Sequence, residues 1–222
     1  MVPIHYAVKY GNLQVVQWLW ATQNESLNHF HKRQWNPLHF ACWSGHANIV
    51  EFLLNNGIDP NSKSENKETP MMLSSFLGYD DSVRILLEHG ANVQGDEKKP
   101  LYWASKGGHL STVKILVESG ANVDDTEQTN ILCGETPLMI AARYGFLDIV
   151  DYLIRNGADK NKTNAEGILI LYFFNQNALQ LAQENHRQNV IDFLSVINEE
   201  SNQKEKVHKH KHKHKHKHSK KK

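Results

Sequence analysis

The sequence predicts an all-α solenoid of about six helix–turn–helix repeats joined by hairpin loops, and three observations carry that reading. The first is a period: Pro3, Pro37, Pro70, Pro100 and Pro137 follow one another at 34, 33, 30 and 37 residues. The second is a fixed offset, because eight residues after each of these prolines stands a glycine: Gly11, Gly45, Gly78, Gly108 and Gly145. The third is an apolar cluster that begins four or five residues beyond each glycine. It reads Val15-Val16-Gln17-Trp18-Leu19 in the first unit and Ile49-Val50-Glu51-Phe52-Leu53-Leu54 in the second. Units this short cannot bury their own apolar faces, so neighbours must stack to do it.

Within a unit each element has its own cause. Thr69, Thr136 and Asn36 precede the repeat prolines and offer a side-chain oxygen to cap a first helix. Proline suits the first turn, where its missing N–H is not needed. The glycine ends that helix in a left-handed conformation. The second helix carries apolar residues at i, i+1, i+3 and i+4, one face of a helical period. Gly57, Gly90, Gly120 and Gly157 stop it, and Asp59-Pro60-Asn61 or Ala91-Asn92-Val93 leads into a polar loop.

Pro37-Leu-His-Phe-Ala-Cys-Trp-Ser-Gly-His46, Thr136-Pro-Leu-Met-Ile-Ala-Ala-Arg-Tyr-Gly145 and His89-Gly-Ala-Asn-Val93 resemble ankyrin repeats. The resemblance runs from residue 1 to about 195. It implies L-shaped units whose loops protrude as fingers, with partners binding on those fingers and on the concave face of the first helices. It also implies that His5 and His39 tie one repeat to the next rather than act in catalysis.

In chain order the repeats are expected at about 1–28, 31–61, 64–94, 96–124, 133–161 and 164–197, within a domain of residues 1–197. The first begins abruptly, and Trp18 and Trp20 are candidates to fold over its open edge. The third has Met72 in place of the histidine and Ser74 and Ser75 where alanines usually pack, so it should be the softest internal unit. The finger Gly95–Lys99 is three residues short. The finger Asp124–Glu135 is four residues long in excess and includes Cys133. The sixth repeat is split by the apolar octet Ile168-Leu-Ile-Leu-Tyr-Phe-Phe-Asn175, whose deletion restores a spacing of 33. A true insertion and a retained short intron both fit, and a peptide spanning Tyr172-Phe173-Phe174 in the native protein would rule out the intron.

The composition bounds the function. There are two cysteines, Cys42 and Cys133, too few for a disulfide framework. With no visible signal peptide this points to the cytoplasm, with the nucleus as the alternative. No run approaches 18 apolar residues, so no transmembrane segment is expected. The net charge of +1 hides an asymmetry: residues 204–222 hold ten lysines and one glutamate, about +9, leaving about −8 on the rest. No phosphate loop, Cys-x-x-Cys or His-Glu-x-x-His motif appears. Neither an enzyme nor a cofactor is expected, and Cys42 reads as a packed thiol.

The candidate binding residues are the two positions before each first glycine, expected to face outward. They include Tyr10, Trp43, Phe76 and Leu77 in the first three repeats, with Trp35 extending that strip from a finger. Lys106, Arg143 and Tyr144 give a more basic second half. Exposed aromatics and arginine are the residue types that dominate interfaces. Other proteins are therefore the expected partners of a monomeric scaffold or adaptor. The Lys/His tail, 198–222, cannot fold alone. It offers His208, His210, His212, His214, His216 and His218 as weak Zn²⁺ or Ni²⁺ ligands among repelling lysines. It equally offers a charged tether for nucleic acid or anionic lipid, or serves only as a solubilising low-complexity tract. A regulatory portion of a larger protein remains the further alternative.

Overall fold

The computed structural model describes residues 3–22, 34–128, 133–164 and 176–199. The octet 168–175, the tail from residue 200 and the first finger, 23–33, lie outside the described residues. Twelve helices are described. They are α1 (Pro3–Lys9), α2 (Leu13–Thr22), α3 (Pro37–Ser44), α4 (Ala47–Asn55), α5 (Pro70–Leu77), α6 (Asp80–Glu88), α7 (Pro100–Gly107), α8 (Leu110–Glu118), α9 (Pro137–Tyr144), α10 (Leu147–Arg155) and α11 (Ala178–Glu184), with α12 at 188–199. Odd-numbered helices α1 to α11 pack side by side as one row, and α2 to α10 form a second row behind them.

The punctuation works as the residue types dictate. Asn36, Thr69, Thr136 and Asn177 each accept a hydrogen bond from the backbone N–H three residues on, closing the first turn of α3, α5, α9 and α11. At α7 the cap is Lys99 and no side chain closes the turn. Gly78 ends α5 at φ +73°. A second constraint acts there: a Cβ would come within 2.5 Å of the His109 ring, which lies on that glycine from the next unit. His109 Nε2–H also donates to the Phe76 carbonyl at 3.1 Å. The residue after the glycine thus ties its unit to the previous one, as His46 also does to the Lys9 carbonyl at 3.1 Å. In the sixth unit, where His186 at φ +54° replaces the glycine, Arg187 reaches the Arg143 carbonyl at 3.0 Å.

The second helices bury their apolar clusters, with Val16, Ile49, Val50, Leu53, Val83, Leu86, Val113, Leu116, Ile149, Val150 and Leu153 all sealed from water. The core is therefore a continuous stripe through the stack. The loops are tied as a ladder. Asn61 Oδ1 accepts from Asn92 N–H at 2.7 Å, Gln94 Oε1 from Asn122 N–H at 3.0 Å, and Asp124 Oδ1 from Asp159 N–H at 3.0 Å.

The irregular loops follow their lengths. The short finger turns at Gly95, φ +59°, where a Cβ would meet the Lys98 carbonyl oxygen at 2.2 Å. The long finger forms a small antiparallel hairpin of β1 (Glu127–Gln128) and β2 (Cys133–Glu135). In the finger after repeat two, Ser64 N–H donates to the Glu68 carbonyl at 2.9 Å. After repeat five the same closing bond runs from Asn164 N–H to the Gln176 carbonyl at 3.2 Å. The second loop is eight positions longer, the length of the apolar octet.

The open edge at α1 and α2 is left uncovered among the described residues. Trp20 turns inward and meets Phe52 edge-on at 6.0 Å. Trp18 stays 62% exposed. With Tyr6, Tyr10 and Val15 it lines a shallow apolar recess. No helix among the described residues is long and apolar enough to cross a membrane.

Candidate functional site

The candidate site is the exposed edge of the first-helix row. One position, six residues after the repeat proline, gives Lys9, Trp43, Phe76, Lys106 and Arg143 in successive units. The next gives Tyr10, Ser44, Leu77, Gly107 and Tyr144. Tyr10 is 73% exposed, Trp43 44% and Tyr144 43%, while Phe76 and Leu77 are half-buried. Three of the rings have an aromatic neighbour holding them. Trp43 rests against Trp35 with centroids 5.7 Å apart, Phe76 meets Trp103 edge-on at 5.4 Å, and Tyr144 stacks on Phe146 at 6.1 Å.

Two expectations are corrected. Trp35 does not extend an exposed strip, because it is only 7% exposed. Its ring packs against Phe40, His39 and Trp43, and its indole N–H donates to Glu68 Oε2 at 2.8 Å. It is the wall behind Trp43, placed there because a buried indole needs both apolar contact and one acceptor. Arg143 is not an open cation: its guanidinium pairs with Glu135, a fully buried carboxylate that also accepts from Tyr102 Oη at 3.3 Å. Lys106 does remain on the surface side, with its ammonium 4.5 Å from the centroid of the Trp103 ring.

Trp103 is the residue that sequence reasoning missed. Its register position holds Tyr6, Phe40, Leu73 and Ile140 elsewhere, so it reads as core. The signal was the pair of lysines around it, since Lys98 also lies over its ring at 5.4 Å.

The chemistry-bearing side chains off this edge are packed into the fold. His39 Nε2–H donates to the Glu68 carbonyl at 3.1 Å, tying repeat two to repeat three, and its Nδ1 accepts from the Asn36 N–H at 3.4 Å. Burial holds its pKa down to about 4, so it stands neutral at physiological pH. His5 is buried in the same register of repeat one and lies 4.9 Å from the Phe40 ring. Burial pushes the Cys42 thiol up to about 12, far from the thiolate a nucleophile needs. The Cys133 side chain lies outside the described set. Among the described residues no group of three or more His, Cys, Asp or Glu could hold a metal ion.

Comparison with known proteins places this arrangement. Models described as ankyrin repeats match residues 1–64, 57–127 and 101–154. The chain is similar to the solved ankyrin repeat domain of human ASB11, with a TM-score of 0.74 and 28% identity over 88% of this chain and 83% of that one. It is 34% identical over 86 residues to alpha-latrotoxin-Lh1a of Latrodectus hasselti, 38% of this chain and 6% of the toxin. It is 32% identical over 89 residues to the serine/threonine-protein kinase TNNI3K of Mus musculus, 36% of this chain and 11% of the kinase. It is 41% identical over 58 residues to the E3 ubiquitin-protein ligase XBAT33 of Arabidopsis thaliana, 26% of this chain and 11% of the ligase. The chain thus spans only 6–11% of the length of these last three relatives. With three overlapping family matches from residue 1 to residue 154 and the same stacked helix pairs throughout, the chain belongs to the ankyrin-repeat family.

Proposed function

We propose that the chain is a non-catalytic recognition module that holds a partner protein against its first-helix row and fingers, as ankyrin repeats generally do. The observation that carries this is the braced aromatic edge. Trp43 presents 44% of its surface to water although Trp35 fixes it from behind. A rigid, exposed indole backed by buried contacts is the arrangement expected of a binding anchor, because little ordering entropy remains to be lost on contact. The test is the double substitution Trp43→Ala with Phe76→Ala in a pull-down of native partners. Partner capture should be lost while the thermal midpoint moves by less than about 3 °C. A larger fall in the midpoint would make both residues core and remove the proposal.

A second reading has its own support. The relatives quoted above use a comparable stretch as 6–11% of a much longer polypeptide. The array would then be the recognition part of a larger protein, and coding sequence continuous with either end would establish it.

A further inference from the structure

Over the first five repeats the helix charges are sorted by row, whereas in the sixth α11 ends on Glu184. From α1 to α9 the first helices contain Lys9, Lys106 and Arg143 and not one carboxylate. From α2 to α10 the second helices contain seven carboxylates against three basic residues. In the fingers three charge pairs offset one another between neighbours, Lys63 with Asp96, Lys67 with Glu97 at 3.7 Å and Lys99 with Asp125 at 3.0 Å, while the Glu68 carboxylate is engaged by the Trp35 indole behind Trp43. On the first-helix row Arg143 is neutralised by Glu135. Lys9 and Lys106 are held by aromatic faces instead, 5.6 Å from the Tyr10 centroid and 4.5 Å from that of Trp103. A cation on a ring face keeps N–H donors for an anion.

One register line therefore reads Lys9, Trp43, Phe76, Lys106: cation, aromatic, aromatic, cation. We propose that this line takes an acidic, extended segment of a partner protein, with carboxylates on Lys9 and Lys106 and two apolar side chains between them on Trp43 and Phe76. The proposal rests on the first-helix row being the binding surface and adds the chemistry of what it binds. The spacing follows from packing. Adjacent helices sit about 8–10 Å apart, and a polyproline II backbone advances about 9 Å per turn of three residues. One partner side chain per repeat then falls every third residue, so the two carboxylates stand about nine residues apart.

The probes are three fluorescein-labelled peptides with Gln and Ala at the spacer positions, and Leu, Phe or Trp at the two anchors. One has Glu at the two end positions, about nine residues apart, one Gln and one Lys. Binding to the full chain is read by polarisation at low and high salt. The Glu peptide should bind about ten-fold tighter than the Gln peptide, the gain shrinking in salt, and the Lys peptide should be weakest. Lys9→Glu with Lys106→Glu should invert the order of the Glu and Lys peptides, which a merely structural role for the lysines would not do. Equal affinity for all three, an unchanged order in the double variant, or no binding of the Glu peptide overturns the proposal. Loss of partner capture in the Trp43→Ala, Phe76→Ala protein stands independently of these outcomes. The two readings therefore fail separately.

Discussion

Repeats two and three are neighbours with nearly the same backbone and different interiors. Both open on a side-chain cap, Asn36 or Thr69, and both first helices run eight residues to a left-handed glycine at φ +74° or +73°. In repeat two the buried polar groups form a closed network. Asn36 Nδ2–H donates to Ser62 Oγ at 2.9 Å, His39 reaches the Glu68 carbonyl, and Glu68 Oε2 accepts from Trp35 and from Ser64 Oγ at 3.0 Å. In repeat three Met72 stands at the histidine position, and Ser74, Ser75 and Ser82 are buried. The Ser75 and Ser82 hydroxyls have no hydrogen-bond partner among the described residues. Proline, cap and glycine set the shape of a unit, while its contribution to stability is set by whether the residues between them find partners.

The strongest way to break the contrast is to remove the wall of repeat two. Trp35→Ala deletes a nearly buried indole from between Phe40, His39 and Trp43 and strips Glu68 of a donor. The expected cost is about 3–5 kcal/mol, read as a fall in the urea midpoint of the full chain. A loss below about 1 kcal/mol would mean that the indole is not part of the core.

Next in size is pH. Burial lowers the His39 pKa from 6.5 to about 4 in the folded chain. Between those values the unfolded chain binds more protons, so stability is present above about pH 6.5 and lost as pH falls toward 4, on the order of 3 kcal/mol in total. The sixth repeat suggests the control, because Gln180 fills the same position and closes its cap by accepting the Asn177 N–H at 2.8 Å. His39→Gln should cost about 1 kcal/mol at pH 7 and should lose less stability than the parent by pH 5. Parallel stability–pH curves for the two proteins would show that His39 does not titrate in this way.

Most of the fold was legible because its signals are local. Proline at the first turn, glycine at positive φ and an i, i+3, i+4 apolar face are single-strand codes, and they locate the helices without knowledge of any contact. The site was less legible because exposure is decided between units. Trp35 and Trp43 are two tryptophans at opposite ends of α3, and only the stacked neighbour shows that Glu68 reaches Trp35 and buries it. Arg143 reads as an open cation until the long finger places Glu135 under it. Trp103 reads as core until Lys98 and Lys106 are seen across its face.

The smallest effect is the sharpest test of the contrast, because it compares one residue type at one register position. Ser75 in α5 and Ser105 in α7 occupy the same place, six positions past Thr69 and Lys99, and both are fully buried. Ser105 Oγ–H donates to the Leu101 carbonyl four residues back at 2.8 Å. The Ser75 hydroxyl makes no such bond. Repeat five already carries alanine here, Ala142, also fully buried. An unpaired buried hydroxyl costs about 1–3 kcal/mol of desolvation, and its removal leaves a methyl that the backbone is already spaced to hold. Ser75→Ala should therefore raise stability by about 1 kcal/mol, whereas Ser105→Ala should leave it unchanged or lower it slightly. Both are read from chemical denaturation of the full chain. If Ser75→Ala destabilises instead, that hydroxyl has a partner, such as a bound water, and repeat three is as well satisfied as repeat two.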